Sequence, residues 1–189
     1  LTKVLDELTE SGFIQQVIPY QLNKTKALYK LADSFLIFYH KFMKDVKVSS
    51  IPHWVNIVKN QSWISWSGLA FERLCHGHIS QIKKALKIDV IQSEVSTWSD
   101  STAQVDMLID RADRVINLCD IKFYNAEFTT DKDYAAKLRR KQAALMHLKS
   151  SKRKNIFITM ITTFGAVDNE YHKELIQNEV VLEDLFRGN

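Results

Sequence analysis

The chain has 189 residues, of which 46% are hydrophobic and 25% charged, with a formal net charge of +4 and a pI near 9.0. It is long enough for one domain with a full core, or for a small domain joined to a larger one, and it contains no low-complexity stretch or repeat. No apolar run approaches the roughly 18 residues of a membrane span and none has the pattern of a signal peptide, so we expect a cytoplasmic protein with no membrane partner.

The first residue and the two cysteines bear on whether the chain is part of a longer protein and on whether its thiols are reduced. The sequence begins with Leu1 rather than Met, so we expect a fragment or processed product of a longer protein. Cys75 and Cys119 both lie in apolar periodic segments. This placement favours two reduced, buried thiols in a cytosolic protein.

At the N-terminus the sequence predicts a helix, a hairpin and a second helix, in that order. The first helix ends at Ser11-Gly12, a helix-stop signal, and strands near 13–18 and 27–31 flank a polar Asn-Lys-Thr-Lys tip. Asp33 or Ser34 caps the second helix, whose apolar stripe is Phe35, Phe38, Tyr39 and Phe42. The order is that of the end of a winged-helix domain or of a plain packing unit without DNA contact.

The segment 45–66 joins this unit to the rest of the chain. Pro52 interrupts its pattern, and Trp54, Trp63 and Trp66 are expected to be packing anchors between two units. We therefore expect a partial winged-helix-like unit at 1–48, a linker or packing segment at 49–66 and a second domain at 67–189.

From residue 68 the patterns predict an α/β domain of order α-β-β-β-α-β with a mixed sheet. The predicted elements are a helix at 68–86, strands at 87–98, 103–111 and 114–124, a helix at 131–151, a strand at 154–165 and a closing strand or helix at 179–186.

Three charged residues interrupt the apolar pattern of two neighbouring strands. Asp106 lies in one strand, and Asp120 and Lys122 lie on one face of the next, because side chains two apart share a face. If the two strands form a hairpin, Asp106 and Asp120 lie side by side. Two adjacent carboxylates stay ionised only with a cation near them, and carboxylate oxygens are the ligands that Mg²⁺ prefers.

A third acid lies on the predicted helix at 68–86. Glu72 is the one charge in an apolar stripe formed by Leu69, Glu72, Cys75, Ile79, Ile82 and Leu86. Its burial is costly unless Lys122 or a metal pairs with it.

Together these residues suit metal-assisted phosphodiester hydrolysis. Asp106 and Asp120 would hold one or two Mg²⁺ (or Mn²⁺) ions, with the Ile121 carbonyl as a further ligand. Lys122 would orient the attacking water or stabilise the transition state, and Glu72 would act indirectly. The alternative is a structural ion pair of Asp120 or Glu72 with Lys122.

Residues 68–163 resemble the restriction-endonuclease-like PD-(D/E)XK nuclease superfamily. The whole chain resembles the C-terminal region of archaeal-type ATP-binding proteins of the AAA+ class, in which a winged helix and a nuclease-like domain follow an ATPase. The matching stretches are "GFI", "YKLADSFLIFYHKF", "GLAFERLC", "QVDMLIDR" and "CDIKFY".

The resemblance implies a catalytic set carried over position by position: Glu72, Asp106, Asp120 and Lys122, with Gln142 as a supporting polar residue. Asp120 stands where close relatives usually have Glu. No phosphate-binding loop is present, so the resemblance implies that ATP acts only through an upstream ATPase module.

Basic residues are concentrated in one part of the chain. Nine Lys or Arg and a single acid lie between positions 132 and 154, which indicates either a solvated helix face with a basic loop or a phosphate-binding surface. We expect the nucleic-acid contacts at Lys24, Lys26, Lys137, Arg140 and Lys141. Tyr134 is assigned to the core stripe of its helix, and His76 and His78 to the surface.

Two functions follow. One is an Mg²⁺-dependent DNA endonuclease, which would need a homo-oligomer to cut both strands. The other is a nuclease-like domain without catalysis that binds DNA or regulates the upstream ATPase.

Overall fold

The structure, a computed structural model, describes residues 2–20, 22, 27–46, 57–58, 60–148 and 151–187. It is a mixed α/β fold with a two-stranded and a five-stranded sheet. The elements are α1 (Thr2–Glu10), β1 (Ile14–Val17), β2 (Leu28–Leu31), α2 (Ser34–Phe38) continued by a π-helix (Tyr39–Met43), α3 (Gln61–Gly77), α4 (Ile79–Ala85), β3 (Ser93–Ser99), β4 (Gln104–Arg111), β5 (Val115–Lys122), α5 (Lys132–Met146), β6 (Asn155–Thr162), α6 (Glu170–Leu175), β7 (Ile176–Val181) and a 3₁₀ turn (Leu182–Leu185).

The N-terminal unit has the expected helix–hairpin–helix order, with β1 and β2 antiparallel. The apolar stripe predicted for its second helix is wrong in two members, because Phe35 is 68% and Tyr39 40% exposed. The helix changes to a wider π turn at Tyr39, which breaks the 3.6-residue spacing. Phe38 and Phe42 remain inside, and their rings contact the two tryptophans expected as anchors, Trp63 and Trp66.

Helix α3 starts earlier than the sequence pattern indicated. Asn60 caps it by accepting a 2.9 Å hydrogen bond from the Trp63 N–H, so the expected domain boundary after residue 66 falls inside the helix. Its buried residues are Ser67, Phe71 and Cys75, which are spaced four apart. Leu69 is 52% exposed and does not belong to the buried face. The predicted stripe was therefore placed on the wrong side of the helix in its first turns. Trp54, also expected as an anchor, lies outside the described residues.

The large sheet has the order β3-β4-β5-β6-β7. Strands β3, β4 and β5 pair antiparallel, whereas β6 and β7 run parallel to β5. Strand β3 begins six residues later than predicted, because Lys87 ends the preceding helical turn with a positive φ of 58°. Helix α6 and the first part of β7 were missed, and the segment 179–186 is divided between a strand end and a 3₁₀ turn.

Helices cover both faces of this sheet. Phe71, Cys75 and Ile82 of α3 and α4 pack on one face against side chains that include Met107, Cys119 and Ile161. Leu138 and Leu145 of α5 pack on the other face, against Ile158, Met160, Ile116 and Leu118 among others. Both cysteines are free and buried, as predicted, and burial raises the pKa of Cys75 to about 12.

The N-terminal unit contacts the edge of the large sheet. Pro19 forms a parallel bridge with Thr97, and the Tyr20 hydroxyl donates a 3.1 Å hydrogen bond to Asp110. Lys154 holds the same carboxylate at 2.5 Å. These bonds fix the hairpin unit against β3 and β4. No helix in the described ranges has the length and apolar character needed to cross a membrane.

Candidate active site at the end of the central strand

Asp120 is the centre of a charged cluster at the C-terminal end of β5. Its side chain is 0% exposed. One carboxylate oxygen accepts a hydrogen bond from the Tyr134 hydroxyl, and the other accepts one from the Lys141 ammonium group. Lys122 Nζ lies 3.7 Å from the same carboxylate. The fully buried charge is therefore held by one hydroxyl and two ammonium groups, which is the condition under which burial of an ion is tolerated.

Two elements bring these groups together. The strand period of two places Ile116, Leu118 and Asp120 on the face that α5 covers. Asp131 caps α5 by accepting a 2.8 Å hydrogen bond from the Tyr134 N–H, which fixes where the helix begins. Lys141 follows Tyr134 by seven residues, about two helical turns, so both side chains point at the strand end.

Asp106 lies beside Asp120, as the hairpin pattern predicted. The antiparallel register pairs Met107 with Cys119, one step from the two acids. Asp106 Oδ2 accepts a 3.1 Å hydrogen bond from the Ile121 N–H. Burial and the charge of Asp120 raise the pKa of Asp106, while Lys141, that hydrogen bond and Lys122 act in the opposite direction. At Asp106, burial and the neighbouring carboxylate therefore outweigh the two ammonium groups, and a cation between the two acids would stabilise the ionised form.

Glu72 is not brought to this cluster. Its carboxylate lies 3.7 Å from Lys30 Nζ, on the hairpin, and not in an ion pair with Lys122. The reason is topological: α3 covers the sheet face opposite to the one that carries Asp120. The expected pairing of Glu72 with Lys122 is therefore corrected to a pairing with Lys30.

Gln142 also faces elsewhere. Its side-chain amide donates a 3.0 Å hydrogen bond to the Ile156 carbonyl near the start of β6. Asp120 pairs with Met160, four residues further along β6, which is about 13 Å at the usual rise of a strand. The supporting role expected for Gln142 has no counterpart in these contacts, and the side chain joins α5 to the sheet instead.

Two partners of Asp120 were assigned other roles from the sequence. Tyr134 was expected to be a core residue and Lys141 a nucleic-acid contact. Tyr134 does pack on Phe128, with ring centroids 4.8 Å apart, but its hydroxyl reaches Asp120, and burial raises its pKa. The available signal was the 4-3-4 spacing of Tyr134, Leu138, Lys141 and Leu145, which puts both polar groups on the helix face that meets the strand.

The other expected nucleic-acid contacts are exposed or lie outside the description. Lys137 and Arg140 are exposed on α5, and Lys137 Nζ lies 5.9 Å from the centre of the Tyr134 ring, beside the cluster. Lys24 and Lys26, expected at the tip of the predicted hairpin, lie outside the described residues. Lys141 turns inward to Asp120 and is only 18% exposed.

The histidines expected at the surface are half-buried. His76 Nε2 donates a 3.1 Å hydrogen bond to the Asp106 carbonyl, and burial lowers its pKa. His78 Nδ1 bonds with the Leu74 carbonyl at 2.8 Å. His76 therefore ties α3 to the strand that carries Asp106.

The donor set fits a hard divalent cation in part. Asp106 and Asp120 supply carboxylate oxygens from adjacent strands, and Mg²⁺ is commonly held by one or two carboxylates together with waters and phosphate oxygens. Within the described ranges, no three His, Cys, Asp or Glu side chains converge on a common point. Both oxygens of Asp120 already accept hydrogen bonds. A cation at Asp120 would thus share that carboxylate with Lys141 or Tyr134 or replace one of them.

Comparison of the chain with protein-family models, with curated proteins and with solved structures gives no match.

Proposed function

We propose that the chain is a metal-dependent nuclease domain of the restriction-endonuclease-like type, which hydrolyses phosphodiester bonds in DNA. The observation that carries the proposal is the convergence of Asp106, Asp120 and Lys122 at one end of the central sheet. The order of elements from α3 to β6 also supports it, since it contains the α-β-β-β-α-β order that such nucleases share.

Each residue of the cluster has its own role in the proposed hydrolysis. Asp106 and Asp120 would hold Mg²⁺ or Mn²⁺, which when bound lowers the pKa of a water ligand and neutralises charge on the phosphate. Lys122, whose side chain is 34% exposed, reaches solvent and can contact the attacking water or the phosphate. Lys141 lies deeper and holds Asp120 in place.

The neighbouring surface of α5 suits a polyanion. Lys137 and Arg140 are exposed on the helix that borders the cluster, so they can contact phosphates on either side of the scissile bond. Such contacts make binding strongly dependent on salt concentration. ATP would act only through an ATPase module elsewhere in a longer protein.

The test is cleavage of supercoiled plasmid and of branched DNA with Mg²⁺, with Mn²⁺ and with EDTA. We expect metal-dependent nicking that Asp106→Asn and Lys122→Met each reduce by about 10²–10³-fold. Asp113→Asn is the matched control, because Asp113 is an exposed acid in the turn after β4 that pairs with Arg111. Equal rates in the two site variants and the wild type would contradict the proposal.

A second candidate is a nuclease-like module that binds DNA without cutting it. The hydrogen bonds from Tyr134 and Lys141 favour it, because each of them competes with a metal ion for an oxygen of Asp120. This candidate predicts no cleavage of the same DNA in any metal. A gel-shift titration of that DNA should instead show salt-dependent binding, which Lys137→Met and Arg140→Met weaken. Absence of both binding and cleavage would exclude both candidates.

A further inference from the structure

A cavity of about 570 Å³ lies between α3, the start of α2, the residues after β5 and the 3₁₀ turn. Its volume is within the roughly 300–1,000 Å³ of small-molecule sites. The aromatic side chains that line it are Trp63, Trp66, Phe71 and Phe123. The ring centroids of Trp63 and Trp66 are 5.1 Å apart, and those of Phe71 and Phe123 are 6.0 Å apart. Phe71 is buried, whereas Phe123 is 40% exposed and Trp63 and Trp66 are partly exposed, so these last three rings offer surface to a planar group.

Arg73 supplies the charge of this cavity. Its Nε and Nη2 atoms are buried and have no hydrogen-bond acceptor among the described residues, and burial lowers its pKa. Trp66 Nε1 is also buried and has no hydrogen-bond acceptor among the described residues. A buried donor without an acceptor costs roughly 1–3 kcal/mol, so three such atoms around one cavity need an explanation.

The chain itself offers no carboxylate partner here. The described residues that line the cavity include no Asp or Glu. The charge of Glu72, the preceding residue, acts to raise the pKa of Arg73, but its carboxylate lies 3.7 Å from Lys30 Nζ and does not form an ion pair with Arg73. The residues outside the described ranges contain no Asp or Glu either, so none of their side chains can neutralise Arg73. An anion in the cavity would supply the acceptor that the described residues do not supply to Arg73.

We propose that this cavity binds a small aromatic anion, a planar ring that carries a phosphate or carboxylate group. The rings stack on the planar part, as aromatic side chains do with nucleobases. The Arg73 guanidinium, which lines the cavity, donates to the anionic group, and guanidinium matches both phosphate and carboxylate geometry. The inference is independent of the nuclease proposal, because α3 covers the sheet face opposite to Asp120.

The experiment titrates the protein with adenosine 5′-monophosphate and with 2-naphthoate, followed by calorimetry and by thermal unfolding. Adenosine and inorganic phosphate, which each lack one half of the required chemistry, are the ligand controls. We expect one of the two aromatic anions to bind and to raise the melting temperature. The one that binds identifies the anionic group as phosphate or carboxylate.

Arg73→Met and Arg153→Met are the protein variants, since Arg153 is exposed and does not line the cavity. We expect Arg73→Met to weaken binding at least about tenfold and Arg153→Met to leave it unchanged. The proposal is overturned if neither anion binds, if adenosine binds as tightly as its monophosphate, or if Arg73→Met binds as the wild type does. Thermal unfolding of each variant without ligand shows that the comparison is made on folded protein.

Discussion

Each face of the large sheet is covered by a helix near which a charged group has buried atoms, and the surroundings of the two groups are opposite. On the α5 face, Asp120 accepts from Tyr134 and Lys141 and lies near Lys122. On the α3 face, two buried nitrogens of Arg73 have no acceptor among the described residues. Removal of a partner from a paired buried charge costs stability, whereas a buried donor that has no acceptor already costs stability in the native state. Removal of the charged group should therefore lower the free energy of unfolding on the α5 face and raise it on the α3 face.

The largest effect is expected from Asp120→Asn. The substitution leaves Lys141 and Lys122 without their buried counter-charge, and the loss of one partner of a buried pair costs about 3–5 kcal/mol. Urea unfolding measures the free energy of unfolding, with Asp89→Asn as the control, since Asp89 is exposed and the change should be at most about 0.5 kcal/mol. An Asp120→Asn protein as stable as the control would show that the cluster contributes nothing to the fold.

Lys141→Met should have an intermediate effect. The side chain is mostly buried and donates to Asp120, and hydrogen bonds to charged groups contribute about 1.5–3 kcal/mol. Lys137→Met, one turn earlier on α5 and exposed, should change the free energy of unfolding by less than about 0.5 kcal/mol. Equal urea midpoints for the two variants would contradict the inward role of Lys141.

Arg73→Met should have the opposite sign. Methionine keeps an unbranched apolar stem and removes the donors without acceptors, so we expect a gain of up to about 1 kcal/mol in the absence of ligand. The thermal unfolding midpoint of the ligand-free protein checks this. A clear loss of stability would mean that Arg73 has a structural partner, and the contrast between the two faces would disappear.

The smallest effect concerns pH and Asp106. Its pKa is raised from 3.8, so the folded state binds more protons than the unfolded state between 3.8 and the raised value. Stability contributed by protonated Asp106 is therefore lost as pH rises through that window. Asp106→Asn cannot ionise, so its free energy of unfolding, relative to that of the wild type, should increase from pH 3.5 to pH 7. Parallel pH profiles of the two proteins would show that the pKa of Asp106 is not raised in the folded state.

The sequence alone determined the α-β-β-β-α-β order from α3 to β6 and the strand face that carries the acids. Strands alternate their side chains with a period of two, so Asp106, Asp120 and Lys122 were placed together from local pattern and one hairpin. The buried cysteines follow from the same pattern. These features depend on contacts between neighbouring segments, and the local periodicity contains that information.

Only the tertiary structure decided which helix supplies the partners of each charge. Glu72 and Lys141 are both charged residues on amphipathic helices, and nothing local tells which sheet face each helix covers. The chain folds α3 over one face and α5 over the other, so Lys141 and Tyr134 reach Asp120 while Glu72 pairs with Lys30. The lack of an acceptor for Arg73 is also a tertiary property, because it depends on every residue that packs around the side chain.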